Sequence, residues 1–190
     1  MSRAYRIRVS ESLRKVIHAS DRVTSSLEIL AVVPPEETAE ILGAELAARG
    51  FEQQPDGTWL RKEEDIEIIV DACSAEVQVK STVARDFQAE TDHTSYMDTD
   101  NHPDRSLIEA RLREEAQRGL ERKAQEEEKR LEREATDKLE RRLRDLQPEL
   151  DQVINRVTAE GLKRKASRLG QIKEITEDGE SGNVTIVVEV

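Results

Sequence analysis

Apolar and polar residues alternate almost from the start of the chain. Tyr5, Ile7 and Val9 share one face and Arg6 and Arg8 the other, which is the two-residue period of a half-buried strand. The stretch KVIHASDRVTSSLEILAVV adds Val16, Ile17, Val23, Leu27, Ile29 and Leu30. Polar residues near 19–21 predict a turn, so the first thirty residues read as a hairpin. A helical period then takes over in PPEETAEILGAELAARGF: Pro34 and Pro35 open it, Glu36 and Glu37 suit the positive end of the helix dipole, and Gly50 supplies a left-handed stop. Ile41, Leu42, Leu46 and Ala48 form its apolar stripe, onto which Phe51 is expected to fold back.

Strand patterning returns after Gly50. FEQQPDGTWLRKEE places a Pro55-Asp56-Gly57 turn between two short strands, and DIEIIVDACSAEVQVKSTV gives two more around residues 71–74. Ile66, Ile68 and Val70 alternate with Glu67 and Ile69, as in a half-buried antiparallel sheet. Residues 86–102 are poor in apolar side chains and rich in Asp and Thr, and read as an acidic linker. Asn101 or His102 then caps a long helix with Pro103 in its first turn.

The apolar positions of that helix are Leu112, Ala116, Leu120, Ala124, Leu131, Ala135 and Leu139, continuing through Leu143, Leu146, Leu150, Val153 and Val157. Their mean spacing is about 3.75 residues with one vacant turn near Glu127, which disfavours a long left-handed heptad coil. The first seven form a narrow Leu/Ala seam, a candidate partner-binding surface that admits a second helix by chain reversal, from a protein partner or by self-association. Residues 111–145 carry twelve bases and eleven acids, so the other faces are a near-neutral polyampholyte. Pro148 is expected to bend or break the helix, leaving one rod and a helical hairpin both open.

The end of the chain echoes its first half. AEILGAELAARGFEQQPDGTWLRKEE and AEGLKRKASRLGQIKEITEDGESGNVTIVVEV both read helix, glycine, strand, turn, strand, with Gly50 and Gly170 at equivalent helix ends. Val184, Ile186 and Val188 share a face and need a partner layer, so the last strand is expected to complete the sheet begun near the N-terminus. The expected architecture is α+β: a sheet domain over 1–85, a linker over 86–102, a long charged helix or helical hairpin over 103–168, and a C-terminal hairpin over 169–190.

Composition narrows the function. Charged residues make up 37% and aromatics 3%, so the core is small and much of the chain is solvated surface. A net charge of −11 argues against affinity of the whole molecule for nucleic acid, although the basic N-terminal strand keeps Arg6 and Arg8 as an alternative nucleic-acid surface. Cys73 is the single cysteine, and neither a signal-peptide pattern nor an apolar span is present. A cytoplasmic protein without membrane partners is expected.

Candidate chemistry is sparse. Asp98, Asp100, His102, Asp104 and Glu109 fall at positions 1, 3, 5, 7 and 12 of a calcium-loop template, but Pro103 stands where the sharp turn requires glycine. This alternative metal site is outweighed by a solvated capping loop. His18, His93 and Cys73 have no zinc or nucleophile spacing, and the basic run GLKRKASR suits the negative end of a helix. No catalytic constellation and no cofactor motif is found, so no enzyme activity and no cofactor are expected.

The segment LKRKASRLGQIKEITEDGESGNVTIVVEV, together with RGFEQQPDGTW, resembles accessory proteins encoded beside AAA+ ATPases, some in multi-gene (ternary) bacterial NTP-dependent conflict systems. The resemblance is carried mainly by residues 159–190 and transfers no site residue. It implies a non-catalytic adaptor or substrate-presenting partner of an ATPase, working in a multi-protein complex.

Overall fold

A computed structural model describes the backbone of residues 5–97, 105–177 and 184–189, and the side chains of 6–96, 105–176 and 185–189. The elements are β1 (Tyr5–Ser26), α1 (Pro35–Ala48), β2 (Glu52–Gln53), β3 (Thr58–Glu63), β4 (Ile66–Asp71), β5 (Glu76–Met97), α2 (Arg105–Leu169), β6 (Gln171–Glu177) and β7 (Val184–Glu189). The first five strands form one sheet in the order β1-β5-β4-β3-β2, while β6 and β7 pair separately. This is the α+β class that the patterning predicts. The chain divides into two compact units, Met1–Ser20 with Thr82–Ala135 and Asp21–Ser81 with Thr136–Val190.

Several expected boundaries move. The N-terminal hairpin is instead one strand of 22 residues. Ile17 and Ala19 are buried while His18 and Ser20 are exposed, so the two-residue period runs through the supposed turn, which has neither Gly nor Pro to break it. Residues 86–97, expected as linker, are the second half of β5. Asp86, Gln88, Glu90 and Asp92 are exposed there, whereas Phe87, Ala89, Thr91 and His93 are half-buried. The inner row is small or polar, and that hid the alternation. The long helix is a single element that continues through Pro148. Finally, the C-terminal hairpin forms its own two-stranded sheet and does not extend the larger one.

In the first unit, Ile7 and Val9 of β1 pack with Leu112 and Ile108 of α2. Further along the same strand Ile17 and Ala19 join Val83, Leu131 and Ala135, with Phe87 against them. The vacant turn between these patches is a charge contact: Arg85 of β5 reaches Glu127 at 3.4 Å and Glu134 at 2.9 Å, and Arg130 holds Glu127 at 2.5 Å. Glu127, 14% exposed, therefore occupies the place of a seam residue with its charge neutralised.

In the second unit the core joins Leu42 and Leu46 of α1, Ile68 and Val70 of β4, Val79 of β5, and Leu139, Leu146, Val153 and Val157 of α2. The antiparallel β3–β4 register sets Trp59 opposite Val70, Arg61 opposite Ile68 and Glu63 opposite Ile66. Ile66, Ile68 and Val70 are buried, and the same face of the sheet continues into β3 as Trp59, Arg61 and Glu63, which are half-buried. Trp59 lies over Gly43, where an added Cβ would stand 2.8 Å from the indole. α1 ends as expected: the Gly50 N–H donates to the Ala47 carbonyl and the Phe51 N–H to the Leu46 carbonyl, with φ of 79° at Gly50. Phe51 is buried beside Leu46.

Candidate functional site

The strongest polar constellation lies on that half-buried row of β3. Arg61 meets Glu149 of α2 in a two-pronged pair, Nη1 to Oε1 at 2.6 Å and Nη2 to Oε2 at 2.8 Å. Arg142, two turns earlier on α2, donates to Glu63 at 2.8 Å and stands 4.0 Å from Glu149. The Arg61 guanidinium also stacks 4.5 Å above the Phe51 ring and donates to the Arg49 carbonyl at 3.3 Å. Arg49 pairs with Glu45, which Arg156 approaches at 3.4 Å. The Nε atoms of Arg61 and Arg142 are buried without a hydrogen bond among the described residues. The 2.8 Å approach of Arg61 Nε to Glu63 is thus a charge contact and not a hydrogen bond.

The ionisation states follow from this geometry. Arg61 holds the Glu149 carboxyl below its ordinary range, outweighing the opposing effect of burial, and Glu149 in turn raises the pKa of Arg61. Desolvation lowers Arg49, with Arg156 and Arg61 adding to the effect. A carboxylate kept ionised in this way has no proton to donate near neutrality. The arrangement fastens α1, β3 and α2 together through charge.

A second set of pairs runs between the two helices of this unit. Arg156, Arg164 and Arg168 of α2 meet Glu45, Glu40 and Glu37 of α1, at 3.4, 3.2 and 2.7 Å. All the cations lie on one helix and all the anions on the other, in antiparallel order. Two residues of the basic run GLKRKASR thus serve as rungs toward α1, in addition to their place near the end of α2. Glu45, Arg156, Ala159 and Arg164 line a groove of about 480 Å³ beside these pairs. A second groove of about 290 Å³ opens along the C-terminal part of β1, between Val23 and Val79 on the sheet, Leu27 just beyond β1, and Leu146, Leu150 and Ile154 on α2.

The expected site residues are distributed as follows. Leu112, Ala116, Leu120, Ala124, Leu131, Ala135 and Leu139 are all buried, at most 9% exposed. The seam expected to receive a partner therefore lies inside the chain's own packing. The reason is that β1 and β5 each run for 22 residues and supply the cover that a short N-terminal hairpin would have left missing. Arg6 and Arg8 are exposed, and Arg8 donates to Asp92 of β5 at 2.6 Å, which raises the Arg8 pKa and lowers that of Asp92. Of the calcium-loop residues, Asp98, Asp100, His102 and Asp104 lie outside the described residues, while Glu109 pairs with Arg105 at 2.8 Å. Among the described residues no group of three or more His, Cys, Asp or Glu side chains converges as a metal site does. Cys73 is exposed in the β4–β5 turn, where its N–H donates to Asp71.

Sequence reasoning missed the Arg61–Glu149 network. A signal for it does exist: Arg61 and Glu63 are in phase with Trp59 on a two-residue period, and Arg142 and Glu149 are seven residues apart, flanking the apolar row of Leu139 and Leu146.

Fold and chemistry together define an α+β protein whose half-buried charged groups act as structural ion pairs. Over residues 1–190 the chain matches the family model described as FtsH ternary system domain X5, and it belongs to that family. The resemblance that rested on residues 159–190 thus extends to the whole chain: it is an accessory component of a multi-gene system that includes an FtsH-like AAA+ protease. No curated protein and no solved structure matches it. Among the described residues no helix is long and apolar enough to cross a membrane.

Proposed function

We propose that this protein is a non-catalytic adaptor of its FtsH ternary system, working in the cytoplasm and linking the AAA+ protease to another protein of the same system. The whole-chain family match carries this reading, because such a system implies protein partners. The side-chain chemistry supports it. The network around Arg61 is spent on internal fastening, and its carboxylates are paired rather than poised for proton transfer. Two open grooves remain on the second unit as places for a partner.

The direct test is affinity capture of the tagged full chain from its native host with its genomic neighbours present. Recovery of the AAA+ protease is the expected result. Absence of the protease with and without cross-linking would sink the adaptor reading, as would hydrolytic activity that purifies with the chain itself.

A further inference from the structure

Two features of the second unit are unfinished among the described residues, and they complement each other. The first is the free edge of β1 at residues 21–26: β1 is the last strand of its sheet, with only β5 beside it. Below that edge lies the groove of about 290 Å³ floored by Leu146, Leu150 and Ile154, and Val23 on its lip is 41% exposed. The second feature is the C-terminal hairpin. Its register sets Ile172 opposite Val188 and Ile175 opposite Ile186, so four aliphatic side chains share one face, and none of them is buried. β7 pairs with β6 alone, which leaves its other edge open. Ile172, Ile186 and Val188 are half-buried and Ile175 is 41% exposed, and a two-stranded hairpin whose apolar face is only partly covered is marginal in water unless it gains another strand or layer.

We propose that the hairpin of one copy of this chain adds through β7 to the β1 edge of a second copy and covers that copy's groove. The residues select an antiparallel register. With Val188 opposite Val23 and Ile186 opposite Ser25, the apolar side of β7 falls on the groove side, since Val23 and Ser25 both line the groove. The same register sets Val187, 45% exposed, opposite Thr24, and sets Glu189 opposite Arg22. Opposite charges thus meet across the new strand pair, and no like charges do. Shifting by one residue would turn Ile186 and Val188 away from the groove.

The hairpin cannot satisfy its own groove in this register. An added Cβ on Gly170 would collide with the Glu189 carbonyl, so the end of β7 is held against the end of α2. Ile154, the groove residue nearest that end, lies sixteen residues earlier on the same helix, roughly 24 Å at 1.5 Å per residue. The interface is heterologous: each copy offers a hairpin to one neighbour and a β1 edge to another.

Cysteine pairing between differently tagged full chains tests this, with Cys73→Ser as background because Cys73 is exposed. Thr24→Cys is placed in one chain and Val187→Cys in the other, and the two are mixed and mildly oxidised. In an equimolar mixture the mixed disulfide dimer should clearly exceed the two like-with-like dimers taken together, the share that random oxidation alone would give it. Arg22→Glu in the first chain should lower its yield about threefold, the scale of an exposed ion pair, and Glu189→Arg in the second should restore it. Both positions are exposed, and because Glu189 pairs with Lys173 of β6 at 2.9 Å, Lys173→Glu accompanies Glu189→Arg to keep that pair within the hairpin. A mixed dimer no more abundant than the two like-with-like dimers together, or a strictly monomeric chain by sedimentation at every concentration, would overturn the proposal. So would a monomer whose groove instead takes up an extended segment of another protein.

Discussion

Gly50 and Gly170 occupy matching places in the two helix–glycine–hairpin segments, yet different forces select them. Gly50 has φ of 79°, so any other residue is strained there, and Gly50→Ala should cost about 1 kcal/mol of unfolding free energy in denaturant titration. Gly170 is required instead by the close approach of Glu189. Gly170→Ala should loosen β6 and β7, seen as faster amide exchange over residues 171–189, with the main melting transition unchanged. Ser81 is fully buried and its hydroxyl has no partner among the described residues. Ser81→Ala removes that unsatisfied group and is expected to raise stability by about 1 kcal/mol, measured by thermal unfolding. A lower melting temperature would mean that the hydroxyl is satisfied after all.

The pairing of β3 with α2 through Arg61 and Glu149 makes an element-scale prediction. Glu149 has a folded pKa below its ordinary 4.5, so its contribution is fully present above that value and is lost as pH falls through the depressed folded pKa. Wild-type stability should drop on acidification below about pH 4.5, and Glu149→Gln should flatten that drop while lowering stability at pH 7 by about 2–3 kcal/mol. Leu146→Ala, in the neighbouring apolar row, should cost about 2–4 kcal/mol with no pH signature. Elements of this kind were legible in unequal measure. α1 has two prolines, two glutamates, a stripe and a glycine, all pointing to the same element, and its span and C-terminal geometry came out as expected. β5 was half-hidden because Ala89, Thr91, His93 and Ser95 on its inner row are small or polar, although the period of two persists. The seam of α2 was visible, but its cover was not: β1 lies more than a hundred residues from the seam residues that it covers and leaves no local trace in their pattern.

For the molecule as a whole, the separation of β6 and β7 from the larger sheet reverses an expectation. Among the described residues no member of the main core lies beyond Val157, so a chain ending at Leu169 should keep the cooperative melting transition within a few degrees of the full protein. Loss of that transition would mean that the hairpin supports the core. The division into units has a further consequence for biosynthesis. The chain passes between the units after Ser20, Ser81 and Ala135, so neither unit is a continuous stretch of sequence. Ile17 and Ala19 share their cluster with Val83, and Leu131 and Ala135 of α2 complete it. At roughly 5–20 residues per second, β1 leaves the ribosome on the order of ten seconds before the helix that buries it exists. Until then its aliphatic row is open to other nascent chains, and Arg6, Arg8, Arg14 and Arg22 give the waiting strand the charge that keeps it apart from them.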